Sequence, residues 1–146
     1  MYILAIDPGL TTGACILDAT PTGFKVVTAV EIPWAQRFSM LAAFVLDMSS
    51  LLPSTPVAFV VESFRLRQGR AFQLSGSDFP SSQVIGAFEC LLHMYNMSHL
   101  LTMQEPGVMS RVQILPEHFY DVEGSEHKKD AYKHARYYFV TKVLGS

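Results

Sequence analysis

Two apolar runs in this chain each stop at a carboxylate: YILAI (2–6) is followed by Asp7, and VAFVV (57–61) by Glu62. Short runs rich in β-branched and apolar residues predict strands, and a continuously apolar one predicts a strand buried on both faces. A buried strand gains nothing from an acid at its tip. Two such acids, each ending a buried strand, ask for a chemical reason.

The segments around these runs set the fold class. GACILD (13–18) and FKVVTAVEI (24–32) read as two further strands, the TTG before Ala14 serving as one turn and Pro21 with Gly23 as the next. With the first strand they make an antiparallel meander. Helical spacing of Phe38, Leu41, Ala42, Val45, Leu46 and Met48 predicts a helix over about 35–52. A strand over 57–63, a polar loop over 64–80 and a helix capped by Ser81 or Ser82 and running to about Tyr95 follow. A last strand is expected at 98–104, a short helix in EPGVMSRV opened by Pro106, and a final helix over 126–143. This order predicts an α/β fold: a mixed five-stranded sheet, antiparallel meander then parallel strands, with helices on both faces.

With 146 residues, the chain is expected to form one domain, 1–146. Hydrophobic residues make up 49% and charged ones 16%, which excludes a disordered chain and suits a soluble one. The apolar runs are too short and too interrupted for a membrane span, and no basic stretch precedes an apolar leader, so cytoplasmic residence is expected. Cys15 and Cys90 sit in apolar segments and read as buried free thiols. Met94 and Met97 read as core filler.

If the first and fourth strands are neighbours, Asp7 and Glu62 emerge at one edge of the sheet, where open α/β sheets bind ligands. The segment HKKDAYKHA (127–135) supplies a third element. On a helix, His127 and Asp130 share a face, and His134 lies further along it. Ala131 and Ala135 are small enough to let that helix approach the sheet closely. Asp7, Glu62, Asp130 and His127 can then converge. Three uncompensated carboxylates raise one another's pKa, and divalent cations remove that cost. Oxygen-rich ligation with one imidazole suits Mg²⁺ or Mn²⁺, and two such ions roughly 4 Å apart are a clamp for in-line phosphoryl displacement. His134 reads as a packing or supporting residue rather than a ligand. Asp7 taken alone is also compatible with a plain Asx turn before Pro8 and Gly9.

These segments resemble the RuvC family of Holliday junction resolvases, within the RNase H-like superfamily. AIDPGLTTG is similar to that family's first acidic motif, VVESF to its second, and HKKDAYKHA to its C-terminal His-x-x-Asp-Ala motif. FRLRQGRAFQLSGSDFPSSQVIGAFE and QEPGVMSRV resemble the shorter RuvC-like proteins of bacteriophage genomes. The resemblance implies an RNase H-like fold and a homodimer that hydrolyses DNA phosphodiester bonds, leaving a 5′-phosphate and resolving four-way junctions by paired nicks. It also implies two Mg²⁺ ions, with Mn²⁺ as a substitute: Asp7 bridging both, Glu62 holding one, and Asp130 with His127 completing the other.

Candidate DNA contacts are Arg65, Arg67 and Arg70, in a loop that also carries Phe64, Phe72 and Phe79, together with Arg111, Lys128, Lys129 and Lys133. Thr12 is expected to offer a turn hydroxyl to DNA, and Gly13 to leave room for a phosphate backbone. The net charge of −2 makes local patches, not total charge, the basis of any nucleic-acid binding. Other readings remain. A branched-DNA binder without activity and a nuclease acting on flaps, forks or RNA are compatible with the same motifs. DPGLTTG also resembles the phosphate loop of actin-like kinases. Those folds close two domains on a nucleotide, so no nucleotide cofactor is expected for this chain.

Overall fold

The computed structural model describes residues 1–63 and 79–145. Among these residues five strands form one sheet: β1 (Tyr2–Asp7), β2 (Thr11–Thr20), β3 (Gly23–Pro33), β4 (Val57–Glu62) and β5 (Leu101–Gln104), in spatial order β3-β2-β1-β4-β5. The first three pair antiparallel, and β4 pairs parallel with both β1 and β5. This is the expected meander followed by parallel strands. The parallel register Ile6↔Val61 places Asp7 and Glu62 one step further on, at the same edge.

Helix α1 (Arg37–Ser49) and helix α2 (Pro80–Met94) cover one face of the sheet. Leu4, Ile6, Phe59 and Val61 point from the strands into this layer, against Leu41, Val45, Val84, Phe88 and Leu92. Phe59 and Phe88 meet edge to face with centroids 5.9 Å apart. Each large side chain buried here contributes about 1.5–3 kcal/mol. The opposite face carries Ile3, Ala5, Cys15, Leu17 and Val60, because alternate residues of a strand face opposite ways. Among the described residues, one long helix covers it. After a short helix α3 (Phe119–Val122), helix α4 (Glu126–Tyr138) packs there through Ala131, Tyr132 and Ala135 and continues as one π turn, Phe139–Val143.

Several boundaries differ from the sequence expectation. Strand β2 begins at Thr11, so the turn is Pro8–Leu10 and TTG lies within the strand, where Thr11 and Thr12 pair with Pro33 and Ile32. The first helix begins later, because Trp34–Gln36 forms a 3₁₀ turn. Residues 98–100 form another such turn, which shortens β5, and EPGVMSRV is a 3₁₀ segment (Pro106–Arg111). Pro80 occupies the first turn of α2, so neither Ser81 nor Ser82 caps it. Cys15 is buried as expected, but Cys90 is exposed on the outer side of α2. Met97 fills the core, whereas Met94 is 69% exposed.

Candidate active site at the sheet edge

The site is built from the ends of three elements. Asp7 ends β1, and its turn is closed by Thr12, whose Oγ1 lies 3.3 Å from the Gly9 carbonyl and 3.4 Å from the Gly9 amide. Ser81, near the start of α2, donates to the Pro8 carbonyl at 2.9 Å and ties this turn to the helix layer. Glu62 ends β4, and the backbone beyond it is held by the Ser63 amide donating to the Gln104 carbonyl at 2.7 Å. Helix α4 brings the third part. Ser125 caps it by accepting from the Lys128 amide at 3.2 Å and donates its hydroxyl to Glu31 on β3.

Gly13 explains how close that helix comes. A Cβ at this position would overlap the carbonyl group of His127 and stand 3.1 Å from its Cα. The backbone of α4 therefore rests directly on the backbone of β2. The room expected there for a phosphate backbone is filled by the protein's own helix. Because Gly13 pairs with Asp7 across the β1–β2 ladder, this contact delivers His127 to the Asp7 carboxylate. His127 Nδ1 lies 3.3 Å from Asp7 Oδ2 and faces it as a donor.

The electrostatics bind the acids into one group. Asp7 is only 8% exposed, and its pKa is pushed up to about 6, first by burial and then by the charges of Glu62 and Asp130, with His127 opposing. Asp130 is also raised, first by burial; Lys133 and His134 pull it down, while Glu62 and Glu126 push it further up. The charge of Glu62 thus bears on both Asp7 and Asp130 at a single edge, with the helix N-terminus and Lys133 as the nearby positive field. The donor set of three carboxylates and one imidazole, with no thiolate, fits a hard divalent cation. As the side chains stand, no three His, Cys, Asp or Glu groups among the described residues are gathered closely enough to hold a metal ion. Asp7 and His127 touch directly; Glu62 and Asp130 join them through their fields.

The candidate DNA contacts fare unevenly. Thr12 requires correction: it is 1% exposed and its hydroxyl is engaged in the Gly9 turn, so it does not present that group to DNA. Lys129 is half-buried and pairs with Glu126 at 3.2 Å. Lys128 and Lys133 lie half-buried along α4 on either side of Asp130. Arg111 is exposed, its Nη1 donates to the Tyr137 hydroxyl at 3.3 Å, and with Gln104, Tyr137, Tyr138 and Lys142 it lines a groove of about 400 Å³ beside the end of β5. Arg65, Arg67 and Arg70, with Phe64 and Phe72, lie outside the described residues.

One grouping escaped the sequence reading. His134 is fully buried, with Nδ1 2.7 Å from Gln104 Oε1 and Nε2 2.8 Å from Glu62 Oε2. Its placement on the His127–Asp130 face was visible. The signal for Gln104 was weaker: it ends β5 as Glu62 ends β4, one parallel step away in the register.

This order of strands, with helices on both faces and the carboxylates at one edge, is an RNase H-like α/β fold of the RuvC type. No protein-family model and no curated protein matches the sequence. Among solved structures, the chain is similar to T. thermophilus RuvC in complex with a Holliday junction substrate, with a TM-score of 0.64 at 16% identity. The match covers 99% of this chain and 96% of that one. At that identity the likeness is one of fold.

Proposed function

We propose that this protein is a divalent-metal-dependent endonuclease that hydrolyses phosphodiester bonds in branched DNA, with the four-way junction as its substrate. The observation that carries the reading is the convergence of charge at the strand ends: Glu62 and Asp130 both push Asp7 up, Glu62 pushes Asp130 up, and His127 stands against Asp7. A binding protein has no use for buried, like-charged carboxylates where phosphates must come. The fold neighbour, solved on a Holliday junction, supports the choice of substrate, and the motif resemblance supports the shorter bacteriophage-type branch of that group.

In this reading, Asp7, Glu62, Asp130 and His127 are the residues that would hold Mg²⁺, as two ions, or Mn²⁺ in its place. The chemistry such ions supply when bound is activation of water and stabilisation of the leaving oxygen. The chain's own residues do the positioning. Strand β1 fixes Asp7, the Gly13 contact fixes His127, and the Ser125 cap fixes the start of α4. Lys128, Lys133 and Arg111, with Arg65, Arg67 and Arg70, would neutralise phosphates and orient the strands. A homodimer would place two such sites on one junction and make the paired nicks.

The test is a cleavage panel of four-way, three-way, forked and linear DNA and RNA–DNA hybrids, in Mg²⁺ and in Mn²⁺. Nicking of the four-way junction is expected, abolished by chelation and by Asp7→Asn, with junction binding retained. Junction binding by the wild type without cleavage in either metal would sink the enzymatic claim. Preferential cleavage of forks or hybrids would move the substrate.

A further inference from the structure

Helix α4 carries a second histidine that the nuclease reading does not use as a ligand. His134 lies within the protein, 0% exposed, yet both ring nitrogens meet polar partners. Burial requires partners for both nitrogens, but it does not require that they be a carboxylate and an amide at the ends of two neighbouring strands. One partner is Glu62, whose side chain is 20% exposed at the sheet edge. The other is Gln104, buried at the end of the neighbouring strand. The register Glu62↔Gln104 sets these two side chains next to each other, and α4 lays His134 across them.

The geometry constrains the hydrogen bonding. Glu62 Oε2, as a carboxylate oxygen, accepts, so Nε2 donates. That holds whichever way the Gln104 amide faces, because its oxygen can accept from Nδ1 and its NH₂ can donate to it. Gln104 thus fixes the rotation of the ring, and the ring fixes one oxygen of Glu62. Among the described residues, none hydrogen-bonds the other oxygen, Oε1.

We propose that His134, braced by Gln104, is a positioning residue that locks the Glu62 carboxylate in one orientation toward the Asp7–Asp130 edge. The contact works in the manner of the outer hydrogen bonds that orient metal-ligating carboxylates, whose loss typically weakens metal affinity or activity about 10–100-fold. It rests on the nuclease reading, and it adds a requirement that the four ligand candidates do not contain.

Two polar substitutions test it, because both suit a buried polar niche but differ in reach. The amide nitrogen of Gln can occupy the place of Nε2, whereas Asn is too short to reach Glu62. His134→Asn is expected to lower single-turnover nicking of a four-way junction about 10–100-fold. Its apparent KM for DNA should stay unchanged. It should also weaken Mn²⁺ binding, measured by calorimetry without DNA, by a factor in the same range. His134→Gln is expected to restore most of both. His134→Asn within twofold of wild type in nicking and Mn²⁺ affinity overturns the proposal, and so does His134→Gln performing no better than His134→Asn. A wild-type protein that neither nicks junctions nor binds Mn²⁺ overturns the nuclease reading and this proposal together. A wild-type protein that nicks normally while His134→Asn matches it overturns this proposal alone.

Discussion

Asp7→Asn should make the metal-free protein more stable while abolishing its activity, and the gain should have a defined pH dependence. The Asp7 carboxyl has an ordinary pKa of 3.8 and is held at about 6 in the fold, chiefly by burial and then by Glu62 and Asp130. At 1.36 kcal/mol per pH unit, this rise means that ionised Asp7 opposes folding by up to about 3 kcal/mol. The side chain is only 11% exposed, so solvent screening leaves most of that intact. Because part of the rise comes from neighbouring charges rather than from burial alone, about 1–3 kcal/mol is the range to expect. Below 3.8 the group is protonated both folded and unfolded and has no effect. As pH rises through 4 to 6 the cost develops, and above 6 it is complete. Asn resembles the protonated acid and escapes it. In EDTA at pH 8, Asp7→Asn should therefore melt roughly 3–9 °C above wild type, at about 3 °C per kcal/mol for a chain of this size. The gap should close as pH falls to 4. Added Mg²⁺ should raise the wild-type midpoint and leave that of Asp7→Asn nearly unmoved. Thermal melts across pH 4–8, with and without Mg²⁺, measure all of this. No gain at pH 8, or a gain equally wide at pH 4, would refute the idea that Asp7 is held against its charge.

Gly13→Ala should destabilise the fold by about 3–5 kcal/mol, since the methyl must displace the backbone of α4 at His127. Gly86→Ala, in the middle of α2 with open space around its Cβ, should stabilise by about 0.5–1 kcal/mol; chemical denaturation of both variants checks the contrast. Arg111→Ala should weaken junction binding and lower the slope of log affinity against log salt by about 1, as for one lost phosphate contact, with the rate on bound junction unchanged. Binding titrations over a salt series read that slope.

The parts of the site that were legible from sequence share a physical cause. Strand and helix periodicities report which residues face a core, and Asp7, Glu62 and Asp130 stand out because they interrupt or flank that pattern with charge. Sheet topology followed from the same pattern, since a meander and two buried runs leave few ways to pair. What stayed hidden depends on distances between elements remote in the chain. Gly13 looked like room for a ligand because the sequence does not say what fills the space a missing side chain leaves. The structure fills it with the His127 carbonyl group. Thr12 looked available because hydroxyls near turns often are, but the strand begins earlier than expected and turns Thr12 inward. His134 and Gln104 are thirty residues apart, and only the docking angle of α4 joins them to Glu62.

That docking angle links the two halves of the site. Helix α4 crosses from β2, where Gly13 admits His127, to the ends of β4 and β5, where His134 meets Glu62 and Gln104. His127 and His134 are seven residues apart, two turns, and so stand on the same helix face about 10 Å apart along the axis. Asp130 stands between them. A helix held at both ends in this way carries Asp130 with little freedom to shift relative to Asp7 and Glu62. The Ser125–Glu31 contact pins the end nearer β3, and the histidine bridge pins the end nearer β5. Loosening either contact should therefore misplace Asp130 as well as the residue it directly touches, and Ser125→Ala combined with His134→Asn should lose more activity than the two single losses multiplied together.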